Sequence, residues 1–259
     1  MLTGKSIIIT GVGPGMGRKL ALEAVRVNAR VTLAARSKDF LESVAREITE
    51  AGAAAIAVVA DVSKQEDCNR IAQAAIQGFG RIDGLVNSAY GSGPFVPFED
   101  GDLNDWRKAV DVTLFGSLQM IKAVLPQMKA NGGGSIVNVS TMETRKPQSG
   151  HGVYAVAKSA LNGVTRQLAV ELGKYRIRVN TAVMGWMWGA PVEAYIAHMA
   201  TTAGAPAEQI VGSISANIPL GHIPPDQECA KTILTLLSDF TSQVTGTAIE
   251  VNGGEWVSL

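Results

Sequence analysis

The sequence predicts an α/β fold: a doubly wound parallel sheet covered by helices on both faces, in three α/β/α layers. Three observations predict it. Short apolar, β-branched runs alternate with helical stretches of ten or more residues along the chain, as repeated strand–helix–strand units do. A glycine-rich turn, Thr10-Gly11-Val12-Gly13-Pro14-Gly15-Met16-Gly17, follows the first strand directly. No composition shift, low-complexity tract or short repeat divides the 259 residues, so one domain accounts for residues 1–259.

Residues 5–10 (Lys-Ser-Ile-Ile-Ile-Thr) are a β-branched run of the kind buried in a parallel sheet. The glycine turn ends it, and 18–28 follow as a helix. Residues 30–35 give the second strand, and the charged amphipathic stretch 39–50 the second helix. Residues 54–60 are strand-like, and Ser63 is placed to cap a helix running to about Phe79. Residues 82–87 repeat the strand pattern. A long helix over 105–129 begins past Asn104 and is stopped by Asn131-Gly132-Gly133-Gly134. Strand 135–140, helix 153–173 and strand 176–182 continue the alternation, and helix 226–238 with strand 248–251 close it. Residues 185–225 are the longest element-poor stretch, too long for a plain connection, and read as a lid over a binding site.

Composition narrows the partners. Lys and Arg number 23 and Asp and Glu number 23, so no net charge draws the chain to nucleic acid or to an anionic membrane. The longest mostly apolar run, 51–60, is far shorter than the ~20 residues of a membrane-spanning helix. The chain enters a strand almost at its first residue, which leaves no room for a secretory signal. Cys68 and Cys229, far apart and each inside an expected helix, read as buried thiols of a reducing compartment, so a cytoplasmic location is expected. His198 and His222 have no partner at metal-ligand spacing, and no metal site is expected.

Two local patterns carry chemistry. The glycines let the backbone pass close to a pyrophosphate, while the helix that follows points its positive amino terminus at it. Their spacing does not fit Gly-x-Gly-x-x-Gly in any register. Far along the chain, Tyr154-Ala-Val-Ala-Lys158 sets a phenol and an ammonium four residues apart on one helix face. A phosphate cradle early and an acid/base pair late suggest nicotinamide-dependent redox chemistry.

The whole set of motifs resembles the short-chain dehydrogenase/reductase family. Thr10-Gly11 with Gly15 and Gly17 fits its Thr-Gly-x-x-x-Gly-x-Gly, and Tyr154 with Lys158 fits its Tyr-x-x-x-Lys. Asp61-Val62, Asn87-Ser88-Ala89, Ile136 to Thr141, Arg178-Val179-Asn180 and Thr245-Gly246 through Val251-Asn252-Gly253-Gly254 fit as well, in the family's order. The resemblance implies a Rossmann-like fold, a ketone/secondary-alcohol oxidoreductase and a homotetramer. It implies a nucleotide held by Gly11, Gly13, Gly15, Met16, Gly17, Asp61, Val62, Asn87, Ala89, Gly185 and Met187. Tyr154 would be the proton donor, with Lys158 beside it lowering its pKa and binding the nicotinamide ribose. Asn87-Ser88-Ala89 is close to the family's Asn-Asn-Ala-Gly, with Tyr90 in the last place, and two catalytic positions depart as well: Thr141 stands where the family has its carbonyl-orienting Ser, and Thr113 where it has a relay Asn. Thr141 is preferred to Ser140, whose side chain should point to the other face of the strand.

The second strand ends at Ala35 with no carboxylate, and Arg36 follows, which favours the 2′-phosphate of NADP; NAD stays the alternative. Tyr90, Trp186 and Trp188, with Phe95, Phe98, Tyr195 and Met199 nearby, suggest an apolar pocket for a bulky small-molecule carbonyl compound. His151, three before Tyr154, and Glu143, two beyond Thr141, could face the same pocket, but read by default as an ordinary helix-start histidine and an exposed loop glutamate. A nucleotide-binding pseudoenzyme is the competing class, kept open by Thr113 and Thr141.

Overall fold

A computed structural model describes residues 1–257. Seven parallel strands form one sheet in the order β3-β2-β1-β4-β5-β6-β7. They are β1 (Ser6–Thr10), β2 (Arg30–Ala35), β3 (Ala55–Val59), β4 (Gly84–Asn87), β5 (Gly134–Thr141), β6 (Ile177–Met184) and β7 (Ala248–Val251). Between them run α1 (Met16–Arg26), α2 (Lys38–Glu50), α3 (Gln65–Phe79), α4 (Leu103–Val110), α5 (Gly116–Ala130), α6 (Gly152–Leu172), α7 (Ala190–Ala203), α8 (Ala207–Ser215) and α9 (Asp226–Leu237).

The period-2 alternation of side chains splits the core in two. Ile7 and Ile9 of β1, with Leu33 of β2, pack with Leu20 of α1 and Ile233 of α9 on one face. Ile8 of β1 and Leu85 of β4 pack with Ile71 of α3 and Met120 of α5 on the other. Each fully buried aliphatic side chain is worth ~1.5–3 kcal/mol, so a one-residue slip of β1 would be prohibitive. The strand order reverses between β1 and β4, and the crevice at the carboxyl ends of these strands is where such sheets take ligands.

Buried polar groups tie the sheet to its helices. Asn87 of β4 donates to Asn138 of β5 at 2.9 Å, and Asn138 to Thr165 of α6 at 2.9 Å; Thr181 of β6 lies 2.7 Å from the same Thr165 hydroxyl. Arg178 donates to the carbonyls of Leu236 and Ser238 at the end of α9, and Asn180 to Val244. Arg178-Val179-Asn180 therefore works as a clasp on carbonyls the helix leaves without partners.

Three expectations need correction. The long helix runs from Leu103 to Ala130 but widens into a π-turn at Asp111–Phe115, dividing α4 from α5. Residues 185–225 are not element-poor, since α7 and α8 lie there, their apolar residues forming a small core with Ile196, Ile218 and Ile223. Ser63 does not cap α3: Lys64 occupies the cap position, and the Ser63 hydroxyl donates to Asp61 instead.

Leu103–Ala130 is long and apolar enough, by length and composition, to cross a membrane. In the fold, its Met120, Ile121, Val124 and Met128 are buried against the sheet. Cys68 and Cys229 are both free and buried, and burial pushes their thiols up to about 12 and about 11. Residues 256–259 read from the sequence as an apolar tail and a candidate subunit contact; Ser258 and Leu259 lie outside the described residues.

Candidate active site

The glycine turn is shaped by close packing on two sides and left open on a third. A side chain at Gly17 would strike the Gly11 carbonyl and approach Val12 Cα to 2.7 Å, while one at Gly11 would lie 2.5 Å from the Ala89 nitrogen. Gly11 also has φ of +71°, which glycine alone adopts at little cost. Above Gly13 nothing lies within 4 Å. That clearance, at the amino terminus of α1, is what a phosphate group needs. Gly15 faces the lid, with Pro191 of α7 at 3.0 Å from where its Cβ would be. Met16 begins α1 and is buried in the core.

A cavity of about 190 Å³ opens beside this turn, lined by Gly13, Arg36, Asp61, Val62, Ala89 and Tyr90 among others. The Asp61 carboxylate is oriented by the Ser63 backbone N–H at 3.0 Å and hydroxyl at 2.8 Å. The Asp61 N–H donates to Asp67 at 2.7 Å, and this bond, ahead of the Arg70 partner, holds the Asp67 carboxyl below its ordinary value. Arg36 is exposed and has no hydrogen-bond or ion-pair partner among the described residues. Asn87 is buried, with its Oδ1 left unpartnered. An open glycine cradle and a free guanidinium along one crevice fit a bound nucleotide.

Thr141 ends β5, Tyr154 and Lys158 stand on α6, and the structure brings all three together. The Thr141 hydroxyl lies close enough to the Tyr154 phenol to favour its ionised form. Lys158 is only 1% exposed and donates to the Val139 carbonyl at 2.5 Å. Its ammonium lies 5.3 Å from the centre of the Tyr90 ring and 5.9 Å from that of Tyr154, and the two rings are 5.5 Å apart. Ser140 is buried with an unpartnered hydroxyl, apart from this cluster of bonds.

The expected lowering of Tyr154 by Lys158 is not what this geometry gives. Burial pushes the Tyr154 phenol up, with Tyr90 and Glu143 adding to the effect and the Thr141 hydroxyl opposing it. Burial pushes Lys158 down to about 7, so its charge is already partly lost near neutrality. Desolvation outweighs mutual attraction here: among the described residues the ammonium has one hydrogen-bond partner, a carbonyl, and no carboxylate in ion-pair reach.

Thr113 lies inside the π-turn, fully buried, and its hydroxyl accepts the Gly91 N–H at 3.0 Å. Gly185 is a packing position, since a Cβ there would lie 2.6 Å from Asn252 Cβ. Met187 is half-buried against the main core. Trp186 stacks on Tyr195 within the lid, their ring centres 6.1 Å apart. Trp188 ties this segment to the start of α9 through its backbone: its N–H donates to Pro224 and its carbonyl accepts from Asp226. Trp186 packs against the small α7–α8 core, and the Trp188 side chain is exposed.

Sequence reading missed a pair. His151 Nδ1 lies 3.0 Å from Glu143 Oε2, beside the Thr141–Tyr154 contact, with Phe95 stacked on the imidazole at 4.4 Å. The available signal was positional: Glu143 is two residues after Thr141, and His151 three before Tyr154.

A dinucleotide crevice with a Thr–Tyr–Lys cluster at its end defines a nucleotide-dependent oxidoreductase. Comparison with known proteins agrees: the family described as Enoyl-(Acyl carrier protein) reductase matches residues 11–255. The chain is 30% identical over 253 residues to 7alpha-hydroxysteroid dehydrogenase of Escherichia coli (strain K12), covering 98% of this chain and 94% of that protein. A 7 alpha-hydroxysteroid dehydrogenase solved with NADH and 7-oxo glycochenodeoxycholic acid superposes with TM-score 0.86 at 30% identity, covering 98% and 94% of the two chains. L-Sorbose reductase from Gluconobacter frateurii, solved with NADPH and L-sorbose, gives TM-score 0.94 at 26% identity, covering 100% and 98%. The chain belongs to the short-chain dehydrogenase/reductase family. It is an oxidoreductase acting on CH–OH groups with a nicotinamide nucleotide.

Proposed function

We propose that the protein interconverts a bulky ketone and its secondary alcohol, with NADP preferred over NAD. The observation that carries this is the Thr141–Tyr154–Lys158 cluster at the end of the crevice that Arg36 opens onto. Gly11, Gly13 and Gly17 would hold the pyrophosphate, Asp61 and Val62 the adenine end, and Lys158 the nicotinamide ribose. When bound, the nicotinamide supplies or accepts the hydride. Tyr154 delivers a proton from Oη to the developing alkoxide, and Thr141 holds the substrate oxygen through its hydroxyl. With the ribose hydroxyls on its ammonium, Lys158 would favour the Tyr154 phenolate for the next exchange. Tyr90 and Phe95 supply apolar contacts for the substrate.

Arg36 supports NADP because a free guanidinium suits a phosphate monoester, and the missing carboxylate at Ala35 removes the usual partner of an unphosphorylated ribose. NAD use in the oxidative direction is the second reading, favoured by Asp39 close in sequence. The intact Tyr154–Thr141 contact weighs against a pseudoenzyme. Phe115, Val156 and Val170, exposed on the outer faces around α5 and α6, support a homotetramer. Two buried, unpaired thiols support a cytoplasmic location. The test is a panel of ketones and secondary alcohols with NADPH and NADH, read at the reduced-nicotinamide absorbance. Absence of turnover across the panel with tight nucleotide binding would favour the pseudoenzyme. A single 27.1 kDa species in sedimentation at micromolar concentration would refute the tetramer.

A further inference from the structure

The Glu143–His151 pair runs alongside the Thr141–Tyr154 pair because both rest on the same two supports. Glu143 lies in a short turn after β5, where its N–H donates to Thr141 Oγ1 at 3.3 Å. That turn is pinned to α6: Thr144 donates to the Thr141 carbonyl at 2.9 Å and accepts from Asn162 at 3.1 Å. His151 is the cap residue of α6, one turn ahead of Tyr154. Positions three apart on a helix have Cβ atoms ~5–6 Å apart on one face. The second pair is therefore held about one substituent's length from the first.

The two side chains are largely enclosed, 17% exposed for His151 and 16% for Glu143. Phe95 closes one side of the imidazole. Each group spends one atom on the other. His151 Nε2 and Glu143 Oε1 have no partner among the described residues, yet neither is fully sealed from solvent. A largely enclosed carboxylate is costly unless its acceptors are met, and the imidazole meets only one of them. Glu143 also acts on the reacting group, since its charge helps push the Tyr154 phenol up.

We propose that Glu143 and His151 form a second recognition pair, which takes an oxygen substituent one or two carbons from the reacting carbonyl. The favoured substrate class is then hydroxylated ketones rather than plain hydrocarbon ones. This rests on the ketone/alcohol reading above and narrows it. With both ring nitrogens of His151 protonated and Nδ1–H given to Glu143, a hydroxyl can donate to Glu143 Oε1 and accept from His151 Nε2–H, which completes both groups at once. A plain methylene at that place leaves both unmet, and sites built to bond a hydroxyl reject analogues that lack it.

The test compares cyclohexanone with 2-hydroxycyclohexanone, using NADPH and NADH, for the unsubstituted protein, Glu143→Gln, His151→Phe and His151→Asn. The expected result is a kcat/KM at least ~10-fold higher for the hydroxylated ketone in the unsubstituted protein, expressed mainly in KM. His151→Phe should bring the ratio close to one, and Glu143→Gln should reduce it. His151→Asn, which keeps a donor in a smaller side chain, should retain part of it. Using the ratio cancels a fold defect, which lowers both rates together. An unsubstituted protein that reduces both ketones equally, or variants that keep the full ratio, would overturn the pair. If it reduces neither ketone with either cofactor, the ketone/alcohol reading itself falls and the pair with it.

Discussion

Replacing Lys158 by Met should stabilise the nucleotide-free protein below pH 8, even though it removes a residue placed in the catalytic cluster. The side chain is nearly fully buried, and its folded-state pKa is pushed down from 10.5 to about 7. The folded protein thus binds fewer protons here than the unfolded chain between these values, so stability rises with pH across that window. Equivalently, the contribution is complete above 10.5 and is lost as pH falls to about 7. At ~1.36 kcal/mol per decade, the full penalty below the folded pKa is roughly 5 kcal/mol. At pH 9 it has shrunk to about 2 kcal/mol, so about 2–3 kcal/mol should appear between pH 6 and pH 9. Met matches the stem in length but leaves the Val139 carbonyl without its donor, a cost of ~1–2 kcal/mol that does not vary with pH. The assay is the thermal midpoint of both proteins without nucleotide, from pH 6 to pH 9. For a chain of this size, 1 kcal/mol moves the midpoint by ~2–4 °C, so the gap between variant and unsubstituted protein should narrow by ~5–10 °C over that range. Other groups titrate in both proteins and cancel in the difference. A gap constant with pH would show that Lys158 keeps its ordinary pKa, and the account of its burial would be wrong.

Tyr154→Phe should abolish turnover while leaving nucleotide affinity within a few-fold, because only the proton donor is lost; titration and steady-state rates on one preparation decide it. Arg36→Ala should weaken NADPH binding by about 1.5–3 kcal/mol and leave NADH nearly unchanged, as measured by fluorescence titration; equal losses would show that Arg36 does not read the 2′-phosphate. Gly13→Ala should keep the thermal midpoint but weaken both cofactors, since its Cβ enters open space that a phosphate would fill. Gly17→Ala should lower the midpoint itself, because its Cβ meets the Gly11 carbonyl and Val12. Identical behaviour of the two glycine variants would refute this division of the turn.

What the sequence made legible depended on whether the signal was periodic or locally chemical. The strands were readable because buried parallel strands are short unbroken apolar runs, as at Ile7-Ile8-Ile9, and their edges moved by only a residue or two. The site residues were found through spacing: Tyr154 and Lys158 on a helix face, and Thr141 from its distance to Tyr154. Tertiary burial was not legible. Nothing in Tyr-Ala-Val-Ala-Lys says that the ammonium will lie beneath Tyr90, so the direction of both pKa shifts was missed. The lid was misread for a related reason. Its helices α7 and α8 pack chiefly on each other, and α7 shows little amphipathic contrast along its length. Ser63 failed as a cap because α3 starts one residue later, with Lys64 in the cap position, while the Ser63 N–H and hydroxyl both turn back to the Asp61 carboxylate.

Two departures from the family pattern turn out to be one structural fact. Thr113 stands where the family has a relay Asn, and Tyr90 follows Ala89 where the family has Gly. Separately, each reads as a loss, of a water site in one case and of backbone freedom in the other. The structure joins them. Thr113 reaches only as far as its hydroxyl, and from inside the π-turn that oxygen accepts the Gly91 N–H. Gly91 itself packs so closely on α4 that a Cβ would lie 2.9 Å from Ala109 Cα, which fixes the loop in place. The residue just before this anchor is Tyr90, and its ring is consequently held against both Lys158 and Tyr154. With Tyr90 in place, an aromatic ring lies over the ammonium, its centre 5.3 Å away. The relay position and the loop residue thus act together on the surroundings of one lysine, and neither substitution can be understood from its own side chain alone.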